Sequence, residues 1–159
     1  MRGVEFVSAS HAVIDALNDP DNPPLIPQNR GLRSLRVTFT KTLVKASVVT
    51  GAAAPPENPK KFSFLVRGPA ARFPNGYVPG KITFPAPNIA QFDIEASDAE
   101  IFPAGDYRLT LFGVADPTPG IARPAIIAAD LGKLDGKPST LPSGDGTPGD
   151  NFDCKFGVA

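Results

Sequence analysis

The sequence contains no tryptophan, one cysteine and one histidine in 159 residues, and its sixteen basic residues are balanced by sixteen acidic ones. A single Cys excludes an intrachain disulfide, so burial and hydrogen bonding must hold the fold. A single His removes most metal sites and most nucleophile–base pairs. Zero net charge argues against a phosphate-backbone binder, which needs an excess of Lys and Arg on one face. The same neutrality removes the mutual repulsion that keeps copies of a chain apart. No apolar run approaches the ~18 residues of a membrane-crossing helix. The opening Met1-Arg2-Gly3-Val4-Glu5-Phe6 has no apolar signal core.

Nineteen Pro and fifteen Gly cut the chain into short pieces. Pro is excluded from helix interiors and central strands, so the runs between prolines carry the regular structure. Those runs alternate with a period of two, and their eleven Phe suit a sheet core. Residues 4–8 read as a first edge strand, and residues 11–17 as a helical turn or a bent strand. Residues 18–31, with Pro20, Pro23, Pro24 and Pro27, read as a loop or an extended arm. In residues 35–40, Leu35, Val37 and Phe39 share one face, with Arg36, Thr38 and Thr40 on the other. Further strands are expected at 43–49, 62–66, 81–84, 91–95 and 107–113, with an apolar stretch at 121–129 holding Ile126 and Ile127. In the last strand, 152–158, Phe152, Cys154, Phe156 and Val158 face inward, and Asp153 and Lys155 face outward. Many short strands between turns, with no long helix, predict an all-β sandwich.

Three segments carry a resemblance. Arg36-Val37-Thr38-Phe39 with Lys41-Thr42-Leu43 is one. Pro103-Ala104-Gly105-Asp106-Tyr107-Arg108-Leu109-Thr110-Leu111 is the second. Leu134-Asp135-Gly136, followed by Leu141-Pro142-Ser143-Gly144-Asp145-Gly146-Thr147-Pro148-Gly149-Asp150 and Phe152, is the third and most specific. Together they resemble the bacterial immunoglobulin-like (Ig-like) domain family, whose last strands run "L-x-x-G-x-Y-x-L-x-L" and "LDG…PSGDG-x-PGG-x-F". Asp150 departs from that pattern, standing where the family has a second Gly. The resemblance implies an Ig-like antiparallel β-sandwich of about seven to nine strands over residues 32–159, preceded by a strand and Pro-rich arm at 1–31. It also implies a bacterial origin and a cell-surface or extracellular place. The missing signal core points instead to a virion or an intracellular assembly. Tyr107 has the sequence setting of a tyrosine corner, or is simply a half-buried strand Tyr.

Chemistry-bearing residues are few. Asp135, Asp145 and Asp150 lie in a Gly-rich stretch and are the candidate calcium ligands, since hard cations take several carboxylate and carbonyl oxygens. Their spacing is not that of an EF-hand, and Asp-Gly and Ser-Gly pairs are turn formers first. Cys154 has the inward phase of a core residue and His11 is remote in sequence. The pairs Asp93 with Glu95 and Asp98 with Glu100 lack a companion base or nucleophile motif. No catalytic residue and no resident cofactor is therefore expected.

What remains is surface for contact. Arg36, Thr38, Thr40, Arg108 and Thr110 make a mixed outer face. The Pro-rich arm and open sandwich edges are routes to a protein partner or to self-assembly. The expectation is a non-enzymatic structural or protein-interaction module, part of a cell-surface structure, a virion or a contractile injection apparatus. A ligand-binding module for glycan or calcium is the alternative. It would use the end loops 73–80 and 130–151, with Phe73 and Tyr77 as the aromatic platform.

Overall fold

The strand Phe152–Val158 illustrates how alternation becomes structure. Phe152, Cys154, Phe156 and Val158 are all buried, while Lys155 is exposed and Asp153 half-buried. The alternation recurs in Gly105–Leu111, whereas Phe64, Leu65 and Val66 are buried in succession. The strands belong to a computed structural model that describes residues 3–17, 23–95, 100–134 and 149–159. In chain order they are β1 (Gly3–Ser8), β2 (Val13–Ala16), β3 (Leu25–Ile26), β4 (Leu32–Thr38), β5 (Phe64–Arg67), β6 (Gly80–Ala86), β7 (Ile89–Ile94), β8 (Gly105–Leu111) and β9 (Phe152–Val158). Three single turns of 3-10 helix, at Gln28–Arg30, Lys45–Ser47 and Pro59–Lys61, are the only helical segments among the described residues.

The strands form a five-stranded sheet of order β2-β1-β4-β7-β6 and a four-stranded sheet of order β3-β9-β8-β5. All pairings are antiparallel except β3 with β9, which is parallel. The apolar faces of the two sheets enclose one aromatic chain. Phe6 and Phe92 from the first sheet, Phe64, Tyr107 and Phe156 from the second, and Phe102 between them stack with centroids 5.1 to 6.2 Å apart. Burying each such ring is worth roughly 1.5–3 kcal/mol. These rings join the two sheets without a disulfide or a Trp. A satellite cluster of Phe62, Leu65 and Tyr77 covers the outer side of β5. Gly51 is needed there, because a Cβ would fall 2.1 Å from the Phe62 ring.

Several elements differ from what the sequence predicts. β1 is not an edge: it lies between β2 and β4, with Val4 and Phe6 in the core. Of the two readings of residues 11–17 the strand holds, with Val13–Ala16 forming β2 at the sheet edge. The described part of the Pro-rich arm is docked on the sandwich, with Leu25 and Ile26 registered against Gly157 and Val158. Residues 43–49 do not form a strand. Ser47 donates its hydroxyl to the Val44 carbonyl (2.7 Å) and closes a 3-10 turn, the local side-chain bonding that competes with sheet ladders. Residues 121–129 make only isolated bridges, Leu43 with Ala128, Asp116 with Arg123, and Ile127 with Lys133. Pro117, Pro119 and Pro124 remove the donors a ladder there would need. Even so, Ile126 is buried as expected, whereas Ile127 is half-exposed.

Candidate functional site

The candidate calcium ligands Asp135 and Asp145 lie outside the described residues. Asp150 is half-exposed, and its backbone N–H donates to the Leu134 carbonyl at 3.1 Å. Among the described residues no three of His, Cys, Asp or Glu gather in a group that could hold a metal ion. Asp130 is tied to Lys41 by a 2.6 Å ion pair. The hydrogen bond from Lys41, aided by the Gly132 N–H, holds its carboxyl below the usual carboxylate range.

Cys154 and His11 are not brought together. His11 is exposed in the turn between β1 and β2, with a left-handed φ of 66°. Cys154 is buried in the other sheet, where burial first and the Asp153 charge second push its thiol up to about 12. A thiol so protonated at neutral pH is a core group, not a nucleophile. Phe73 and Tyr77 are not an exposed platform; both are buried. Phe73 packs on Tyr107 at the start of β8, whereas Asp150 lies beside Gly113, beyond the end of β8. Phe73 and Asp150, one from each expected ligand loop, therefore sit at opposite ends of that strand. Of the two readings of Tyr107, the corner holds: its hydroxyl donates to the Pro103 carbonyl at 2.6 Å. Burial raises that phenol to about 12, against a smaller opposing pull from Arg72.

Of the acidic pairs, Asp98 is outside the described residues. Asp93 and Glu95 do fall on the outer phase, but Asp93 is engaged. It accepts from the Ser34 hydroxyl, directly opposite on β4, and from Gln91 Nε2 at 3.0 Å; Arg36 Nε in turn donates to Gln91 Oε1 at 3.0 Å. The neighbours complete the pattern, for Glu5 registers against Arg36 and Lys81 against Asp93. Opposite charges and hydrogen-bond partners thus face each other across four strands.

The outer face of the four-stranded sheet has the opposite arrangement. Arg67 registers directly against Arg108, and Arg108 against Lys155. Three cations therefore line up across β5, β8 and β9. Like charges directly opposite on neighbouring strands are destabilising. Asp153 contacts Arg108 at 3.6 Å, with both side chains about two-fifths exposed, so that pair relieves little. Among the described residues no carboxylate is within ion-pair distance of Arg67 or Lys155. The row borders a groove of about 440 Å³ whose far wall is Pro23, Pro24 and Leu25. Gly68 and Gly157 line it as well, and a Cβ at Gly157 would crowd the Leu25 side chain at 3.0 Å. The outward phase of Arg108 and Lys155 was readable from alternation; their register with Arg67 and the Leu25 wall were not.

The sandwich edges are blunted. Gly157 N–H donates to the Pro24 carbonyl and Ala159 N–H to the Ile26 carbonyl, both at 2.9 Å. Positions 23, 25 and 27 therefore face away from β9, and two of the three are Pro with no N–H to offer. The free side of β5 is already engaged, with Phe64 N–H donating to Val49 (3.0 Å) and Val66 accepting from Val78 N–H (2.7 Å). On β2, the Asp15 carboxylate accepts its neighbour Ala16's N–H at 2.8 Å. β6 carries Pro85 and a register shift between Thr83 and Ala86. No helix among the described residues is long and apolar enough to cross a membrane. Compared with protein-family models, curated proteins and solved structures, the chain matches none.

Proposed function

We propose that the chain is an immunoglobulin-like module with a structural, protein-contact role and no catalysis of its own, serving in a larger assembly of the bacterial cell surface, virion or injection-apparatus kind. The observation that carries the reading is the strand order. β1-β4-β7-β6 follows the A-B-E-D order of an Ig sheet and β9-β8-β5 follows G-F-C, with β2 and β3 as additions at one edge of each. The Tyr107 corner stands at the start of the strand equivalent to F, where Ig domains carry it. Leu109, two residues on and buried, occupies the position of the second Cys of antibody domains. Of the three segments that resemble bacterial Ig-like modules, the first begins on β4 in the five-stranded sheet, the second contains β8, and the third ends at Phe152, the first residue of β9 beside β8.

Two further observations favour contact over chemistry. Cys154 and Asp93 are both committed to the fold, one by burial and the other by its bonds to Ser34 and Gln91. The blunted edges direct association to the faces and ends of the sandwich, because strand addition needs an open ladder. The test is the mass of the native species. Size-exclusion chromatography with light scattering on a native extract, followed by crosslinking, is expected to place the chain in a particle much larger than its 16.6 kDa. Recovery wholly as a free monomer overturns the reading.

A further inference from the structure

We propose that the groove beside the Arg67–Arg108–Lys155 row is the docking site for an extended acidic segment of a protein partner. The inference takes the protein-contact reading as its premise and names the surface and the chemistry of what it binds.

The first ground is charge. A row of three cations in direct cross-strand register is unfavourable, and among the described residues the ion pair made by the row is that of Arg108, its middle member, with Asp153 at 3.6 Å. The other sheet of the same molecule places Glu5 against Arg36 and Lys81 against Asp93, so sheets of this chain can be built with charges complemented. Carboxylates laid along the row would supply what the described residues do not. The second ground is shape. Neighbouring strands lie about 4.8 Å apart, so the row spans roughly 10 Å. Alternate residues of an extended chain lie about 7 Å apart, so two carboxylates on one side of a crossing segment come within reach of the long Arg and Lys side chains.

The third ground is the wall. Pro23, Pro24 and Leu25 are apolar, and Leu25 is 66% exposed. A residue between the two carboxylates points to the opposite side of the segment, and a flanking apolar residue can rest on this wall. A peptide combines acidic and apolar groups in this way. A nucleic-acid strand instead carries a phosphate charge at every residue and no aliphatic side chain for this wall. The wall itself is held rigidly, since Leu25 and Ile26 are paired with β9, so docking loses little conformational freedom.

The experiment uses the whole chain, isotope-labelled for NMR, and the acetylated, amidated peptide Leu-Glu-Ser-Glu-Leu as probe. The expected result is shifts of the Leu25, Gly68 and Gly157 amides, with affinity falling about tenfold between about 50 and 300 mM salt. Arg67→Gln with Lys155→Gln should weaken binding at least ~tenfold, Lys81→Gln on the other sheet should leave it unchanged, and the peptide with Gln for each Glu should not bind. Absence of binding at ~5 mM peptide, equal binding by the double variant, or tighter binding of an oligothymidylate on the same amides overturns the proposal. If the peptide fails while the chain still sits in a large native particle, the groove falls and the contact-module reading stands. If the peptide binds a chain recovered only as monomer, the reverse holds.

Discussion

The two outer faces of this sandwich are built from the same kinds of residue with opposite results. On the five-stranded sheet, Ser34, Arg36, Gln91 and Asp93 form a hydrogen-bonded ladder, and Ser34 and Gln91 are 3% and 8% exposed. On that face these four side chains partner one another, and Glu5 and Lys81 are registered opposite the unlike charges of Arg36 and Asp93. On the four-stranded sheet, Arg67, Arg108 and Lys155 oppose one another across neighbouring strands beside an apolar wall. That face carries an electrostatic debt that something outside the fold can relieve. The difference teaches that polarity along a strand does not tell a finished surface from an unfinished one. Cross-strand register does.

Removal of Asp93 should separate the faces most strongly. Asp93→Leu leaves the Ser34 hydroxyl and the Gln91 amide without their acceptor at nearly buried positions, at a cost of ~1–3 kcal/mol in urea unfolding. The matching loss on the other face, Asp106→Ala at an exposed site, should stay within ~0.5 kcal/mol. Equal costs would dissolve the contrast.

Next comes the inner lining of the four-stranded face. Tyr107→Phe removes the bond to the Pro103 carbonyl and should cost ~1 kcal/mol. The folded phenol titrates at about 12 against an ordinary value of 10.0, so its stabilisation is complete below about pH 10 and is lost as pH rises towards 12. Buried Cys154, raised from 9.0 to about 12, adds a loss of the same sign that begins near pH 9. Alkaline unfolding of the unaltered chain should therefore begin earlier than that of Tyr107→Phe with Cys154→Ala, measured relative to each protein's stability at pH 7.

The smallest effects give the sharpest contrast, because one substitution should have opposite signs on the two faces. Lys155→Glu replaces a like-charge contact with an attractive one opposite Arg108 and should stabilise by ~0.2–1 kcal/mol. Lys81→Glu sets a carboxylate opposite Asp93 and should destabilise by a similar ~0.2–1 kcal/mol. Both shifts should shrink as salt is added. Thermal melts at low and high ionic strength read them, and shifts of the same sign would mean that register does not govern these faces.

Much of the sandwich was legible in the residues. The inward sets Leu35 with Val37, Tyr107 with Leu109 and Leu111, and Phe152 with Cys154, Phe156 and Val158 follow from alternation, because a strand's side chains change face at every residue. Residues 43–49 misled for a local reason: Ser47 bonds its own turn, and β-branched neighbours give no sign of that. The burial of Phe73 and Tyr77 was also hidden, because their covers, Tyr107 and Phe62, come from distant parts of the chain. The groove was half legible. Arg108 and Lys155 were readable as outward-facing, but neither Arg67 nor Leu25 stood out as part of a site.

By itself the sequence determined that the chain would be all-β, held together by Phe without a disulfide, because period-two alternation and proline punctuation are properties of each short segment. Only the tertiary structure decided that β1 lies inside a sheet, that the proline arm caps β9, and that three cations share one row. Those facts depend on which strand lies beside which and at what offset, and pairing between segments far apart in the chain leaves no periodic mark in either one.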